Sequence, residues 1–127
     1  MKINKATPLF IVDAIEPLLP LYQALGLKKT VEVPHGKALG FVILAGDGSE
    51  LMLQTRASLQ DDAASVAAHA KDSLLYCDVD SLEKARAGVK KDKSCTILIE
   101  ERTTPYGAKE LWFVDASGHV VGLAENQ

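Results

Sequence analysis

The sequence predicts an α+β fold of two βαβββ modules forming a curved mixed sheet around a cleft. The first reason is a hairpin near the C-terminus. Residues 109–114 (KELWFV) alternate like a half-buried strand, Asp115-Ala116-Ser117-Gly118 supplies a turn, and residues 119–124 (HVVGLA) return. The second is a looser copy of that hairpin in residues 37–54 (KALGFVILA, Gly46-Asp47-Gly48, SELMLQ), its turn glycine 70 positions before Gly118. The third is a pair of helix starts. Asp13 and Asp80, 67 positions apart, each stand three residues before a glutamate at the mouth of an apolar stretch, the arrangement of a capping box.

In chain order, residues 6–12 (ATPLFIV) read as the first strand. Asp13 is expected to cap a helix that runs to Leu25, where Gly26 can stop it in the left-handed conformation. Pro17 is tolerable in the first turn, whereas Pro20 lies deeper and should bend or shorten the helix. Leu18, Leu21, Tyr22 and Leu25 fall at helical spacing and should face the sheet. Residues 27–33 begin the second strand and Pro34-His35-Gly36 turns into the first hairpin. Residues 56–72 join the halves. They are rich in Ala and Asp, with a short helix at 64–70, and their length makes them the natural flap over a site. The order then repeats: a strand at 73–79, a helix from Asp80 through Ala87 stopped by Gly88, a strand at 95–101, and a turn at Tyr106-Gly107 into the last hairpin. This gives a single domain over 1–127, with module one at about 1–57, a connector at about 58–72 and module two at about 73–127.

A chain of 127 residues, 47% apolar, has enough material for one core and too little for two ordinary domains. The net charge of −3 and the shortness of the Lys28-Lys29 and Lys90-Lys91 pairs argue against a nucleic-acid partner. No apolar run reaches the length of a membrane span, and the start of the chain runs into helix sequence without a cleavage site. Cys77 and Cys95 are scattered in apolar stretches without metal or redox spacing, which fits a reducing compartment, so a cytoplasmic location is expected.

The doubled order, with Tyr106-Gly107 and Glu110, then Asp115 and Gly118, then the closing GLAE of residues 122–125, resembles the glyoxalase/bleomycin-resistance/extradiol-dioxygenase superfamily, the vicinal oxygen chelate fold. Asp13, Tyr22, Leu25 and Gly26 match its first-helix pattern, and the resemblance covers essentially the whole chain. It implies four metal ligands, His, Glu or Gln, from the first and last strand of each module. Carried over by register, these positions hold Ala6, Met52, Lys71 (or Ser73) and Gly122, none of them a good ligand for a hard divalent ion. Gln54 shares the parity of Met52 but stands alone, and Glu125 is turned to the opposite sheet face by strand alternation. No metal site and no cofactor are therefore expected. No catalytic residue stands out either: neither cysteine has an activating neighbour, and there is no nucleophile elbow or phosphate loop.

What the cleft would offer instead is a lining for a small molecule. Glu110 and Trp112 share a face, and the resemblance implies an aromatic pocket wall at the position of Trp112. Pro8 and Phe10 share the parity of Ala6 and are expected to line the facing wall. Met52 adds adaptable apolar surface, with Gln54 beside it, and Tyr106 is a candidate rim donor. Arg56 and Arg102 are candidates to hold an anionic group, although solvation is the stronger reading of each. The expectation is a metal-free binding protein of the bleomycin-resistance type, sequestering an amphipathic or aromatic ligand. The resemblance implies a homodimer. The alternatives are a divalent-metal lyase, isomerase or dioxygenase of the glyoxalase kind, and a structural subunit whose cleft is filled by its own side chains.

Overall fold

Strand β1 (Ile3–Val12) leads into a 3₁₀ turn (Glu16–Leu18) and a six-residue helix α1 (Leu19–Ala24) in a computed structural model that describes residues 1–126. The sequence suggests one helix here; two short pieces form because each proline takes the first turn of its own segment. Pro20 lacks an N–H and cannot continue the turn begun at Glu16. Neither piece has a side-chain cap, so the expected Asp13 cap is not made. Glu16 turns aside to accept the Leu39 backbone N–H at 2.7 Å. Gly26 ends the segment with φ of 99°, as its position suggested.

The chain divides into two units, Thr7–Ser73 and Met1–Ala6 with Leu74–Gln127. In the first, β2 (Lys28–His35), β3 (Ala38–Gly46) and β4 (Ser49–Thr55) form an antiparallel meander, and β1 returns parallel to β4, giving the order β2-β3-β4-β1. One sheet face packs on α1 through Ile15, Val42, Leu44, Leu51 and Leu53, joined by Val12, Leu18, Leu19 and Tyr22. Leu21 and Leu25, expected in that layer, are 57% and 69% exposed. A helix that begins only at Leu19 presents the stripe of Leu18, Leu19 and Tyr22 to the sheet and turns Leu21 and Leu25 to solvent.

The connector belongs to this unit and is helical rather than a free flap: α2 (Arg56–Asp62) and α3 (Ala64–His69). Thr55 caps α2 by accepting the Ser58 N–H at 3.1 Å. Arg56 spreads its guanidinium over the carbonyls of Ala67 and Ala70, each at 3.2 Å, and of Lys71, which are acceptors at and beyond the end of α3. His35 Nε2 meets Asp61 at 2.7 Å, and the Ile11 N–H donates to Asp72 O at 2.8 Å. The role sequence analysis offered Arg56, holding an anionic ligand, is thus replaced by fastening the connector.

The second unit repeats the plan. Strand β5 (Ser73–Val79), helix α4 (Leu82–Lys91) and strands β6 (Thr96–Thr103), β7 (Ala108–Val114) and β8 (Val120–Asn126) give the order β5-β8-β7-β6, with β5 parallel to β8. Helix α4 packs through Leu82, Ala85 and Val89 on Cys77, Val79, Leu111 and Leu123. Its cap is Ser81, which accepts the Lys84 N–H, and not Asp80. Asp80 instead accepts the Lys2 N–H at 2.8 Å while its own N–H donates to Lys2 O at 3.1 Å, which fastens residues 1–6 to this unit. Gly88 does not stop the helix; its φ is not positive and the helix continues through it to Lys91. The turn glycines Gly48 and Gly118 do take positive φ, 73° and 91°. Cys77 and Cys95 are free thiols. No helix among the described residues is long and apolar enough to cross a membrane.

Candidate functional site

The sheet of the second unit has two unlike faces. Strand alternation sends Cys77, Leu111 and Leu123 toward α4. The neighbouring positions go the other way, and the register aligns them: Tyr76 and Trp112 flank Gly122, Asp78 and Glu110 flank Ala124, and Arg102 pairs with Glu110. The side away from the helix therefore carries Tyr76, Asp78, Arg102, Glu110 and Trp112.

Glu110 is the hub of this face. Its Oε1 accepts Arg102 Nε at 2.8 Å and Trp112 Nε1 at 2.9 Å, and its Oε2 accepts the Tyr76 hydroxyl. The carboxylate is 3% exposed, so its charge has left bulk water and is compensated by one cation and two neutral donors. Burial, then the Glu110 charge, pushes the Tyr76 phenol far above its ordinary range, so it stays a donor through neutral and alkaline pH. Tyr76 and Trp112 lie with ring centroids 5.7 Å apart, tilted by 44°. At the neighbouring rung, Lys5 Nζ comes within 3.9 Å of Asp78 Oδ2.

Gly122, a would-be ligand position on β8, is glycine for a reason visible in the packing. A Cβ there would lie 2.7 Å from two indole carbons of Trp112 and 2.8 Å from a third. The indole occupies the volume that a chelating side chain would need. The other would-be ligands fit no better. Leu9 pairs with Met52 and Thr7 Oγ1 donates to Glu50 at 3.0 Å, so Thr7, Leu9 and Ile11 share the face of Met52, while Ala6 alternates to the other. Among the described residues no three His, Cys, Asp or Glu side chains converge on a point. The residues present do not fit a divalent metal.

The same register corrects two expected wall residues. Phe10 pairs with Leu53, which packs on α1, so Pro8 and Phe10 stand on the helix side and not with Met52. Met52 and Gln54 are buried, and Gln54 donates to Ser58 Oγ at 3.2 Å, fixing the start of α2. Tyr106 is 80% exposed in a turn closed by the Gly107 N–H on Thr104 O, which makes the Tyr-Gly pair a turn element. Glu110 and Trp112 do come together as expected. Glu125 does turn to the helix face, where it accepts the Leu82 N–H at 2.8 Å. Sequence reasoning missed Tyr76. The signal was available: in the apolar strand of residues 73–79, Tyr76 and Asp78 are the polar pair at a spacing of two.

Solved structures share this fold across nearly the whole chain. A glyoxalase/bleomycin resistance protein/dioxygenase superfamily member from Vibrio splendidus 12B01 matches with TM-score 0.69 at 16% identity, covering 97% of this chain and 98% of that one. A hypothetical protein from Bacillus halodurans C-125 matches with TM-score 0.73 at 18% identity, covering 99% and 94%. Methylmalonyl-CoA epimerase from Mycobacterium tuberculosis matches with TM-score 0.65 at 14% identity, covering 98% and 87%. Neither a protein-family model nor a curated protein sequence matches the chain. At these identities the likeness establishes the fold: the chain has the vicinal oxygen chelate fold that its repeated motifs implied. The fold hosts both enzymes and binders, so function has to come from the residues of the site.

Proposed function

We propose that this is a metal-free small-molecule-binding protein of the glyoxalase/bleomycin-resistance type, which takes an amphipathic or aromatic ligand on the Tyr76–Arg102–Glu110–Trp112 face. The single observation that carries this is the contrast within one sheet. The core against α4 is apolar, built from Cys77, Val79, Leu111 and Leu123 with Glu125 beside it only to accept the Leu82 N–H, whereas the other face spends a buried carboxylate, a guanidinium, a phenol and an indole on a position where aliphatic side chains would pack without a desolvation cost. In this arrangement the half-buried Tyr76 and Arg102 meet the ligand, and Glu110 and Trp112 stand behind them and fix their orientation. On this reading the protein works as a cytoplasmic homodimer without nucleic-acid or membrane partners, and sedimentation equilibrium tests the dimer.

A second reading is favoured by one observation. Trp112 is only 3% exposed, as befits a subunit whose sheet face is filled by its own side chains. A ligand screen separates the two. Trp112 is the sole tryptophan, so its emission reports on this face alone. Saturable quenching by an aromatic or amphipathic compound, weakened at least tenfold in Arg102→Ala, supports binding. Unchanged emission and flat calorimetry across varied aromatic, carboxylate and aliphatic probes favour the self-filled subunit.

A further inference from the structure

The disagreement between this face and a metal site goes further than missing ligands. A donor absent from one position is restored by one substitution if the space for it remains. Here the space is taken: the rim of the Trp112 six-membered ring lies within 2.8 Å of where any Cβ at 122 would stand, closer than carbon atoms approach without one of them moving. The indole is not free to give way. Its Nε1 is held by Glu110, that carboxylate is held in turn by Arg102 and Tyr76, and the Tyr76 ring on β5 leans on the indole across Gly122 of β8. Swinging the ring aside would leave a nearly buried carboxylate short of one donor.

We infer that Gly122 and Trp112 form a size-coupled lock, with Glu110 as its positioning residue, that closes this corner of the fold to a metal-binding side chain. The lock is a property of the Trp112 and Glu110 side chains and the backbone at Gly122, and it stands whether or not the protein takes a small-molecule ligand. It makes Trp112 and Gly122 a pair: position 122 tolerates a side chain only when position 112 gives up its indole.

The test uses the full chain as wild type and as Gly122→Ala, Gly122→Glu, Trp112→Ala and the double variant Gly122→Ala with Trp112→Ala. The lock predicts that Gly122→Ala lowers the thermal midpoint and moves Trp112 emission to the red as the indole leaves its seat. It predicts that the double variant loses less than the sum of the single variants, a coupling that remains measurable even if Gly122→Ala alone is too unstable to purify, because Gly122→Ala is then rescued in the Trp112→Ala background. Titration of Gly122→Glu with Co²⁺ alone should give neither a visible absorption band nor heat beyond that of wild type. Wild-type emission and midpoint in Gly122→Ala, strict additivity in the double variant, or one equivalent of Co²⁺ bound by Gly122→Glu would each overturn the inference. None of these measurements involves an organic ligand, so they succeed or fail independently of the proposed function.

Discussion

Arg102 and Trp112 donate to the same oxygen of Glu110, from 2.8 Å and 2.9 Å, so that one carboxylate joins β6 to β7 and holds the indole at once. Removing the acceptor takes a shared carboxylate from three donors on a largely buried face. Glu110→Ala should therefore cost about 3 kcal/mol in chemical denaturation, because it removes the buried acceptor that one cation and two polar groups share. Glu110→Gln keeps the shape and one acceptor oxygen and should cost less. Equal stability of Glu110→Ala and wild type would remove the network's structural importance.

Tyr76 gives the network a pH signature. Its phenol is pushed above the ordinary value of 10.0 by burial and by the Glu110 charge. A group whose folded value is raised favours the protonated form on folding. The stability it contributes is fully present below about pH 10 and is lost as pH rises through the folded value. The unfolding free energy should thus decline above about pH 10, and Tyr76→Phe should flatten that decline while costing about 1 kcal/mol at neutral pH through the lost hydrogen bond. Denaturation midpoints collected from pH 8 to 11 decide it.

The repeat itself was legible because the physics behind it is local. Glycines with positive φ at 48 and 118, alternation in the closing hairpins and apolar helical stretches after residues 13 and 80 all act within a few residues of each other. What failed was what depends on partners far along the chain. Asp80 resembles a cap in sequence, but Lys2, 78 residues away, takes its carboxylate, and Ser81 takes the cap. The side assigned to Pro8 and Phe10 rested on the register carried over to Ala6; the pairing of Leu9 with Met52 sets the face. Glu110 and Trp112 were found because they share one strand. The donors that complete them, Tyr76 and Arg102, come from two others, and no periodicity within one strand reveals such a convergence.

The connector offers a separate check on whether residues 56–69 are a fastened helical pair. Thr55→Ala removes the cap of α2 and should cost about 1 kcal/mol. Arg56→Lys should loosen α3 more than it lowers global stability, because a single ammonium group cannot span the carbonyls of Ala67, Ala70 and Lys71 as a planar fork does. Hydrogen exchange at the amides of α3 is the measurement. Protection unchanged in Arg56→Lys would mean that packing alone holds the pair.

The start of the chain at Lys2 should loosen from the second unit in acid before the protein unfolds. Beside the neighbouring of β1 and β5 in the sheet, the attachment of residues 1–6 includes the paired hydrogen bonds between Lys2 and Asp80 and the Lys5–Asp78 contact. The Lys2 N–H, aided by the nearby N-terminal ammonium and Lys84, lowers the Asp80 carboxyl below its ordinary value. A depressed folded value means that the attachment is present above the unfolded aspartate value of about 3.9 and is lost as pH falls through the folded one. The Lys2 N–H then loses its acceptor while the sheet cores, built from apolar contacts, are unaffected. Protection of the Lys2 and Asp80 amides should accordingly fall at acid pH while amides of β7 and β8 remain protected. Asp80→Ala should expose the Lys2 amide even at neutral pH, where the carboxylate would otherwise hold it. Asp80→Asn retains a weaker, uncharged acceptor and should show intermediate protection that no longer changes with pH. If all three proteins exchanged alike at Lys2, the arm would be held by strand pairing and not by this carboxylate.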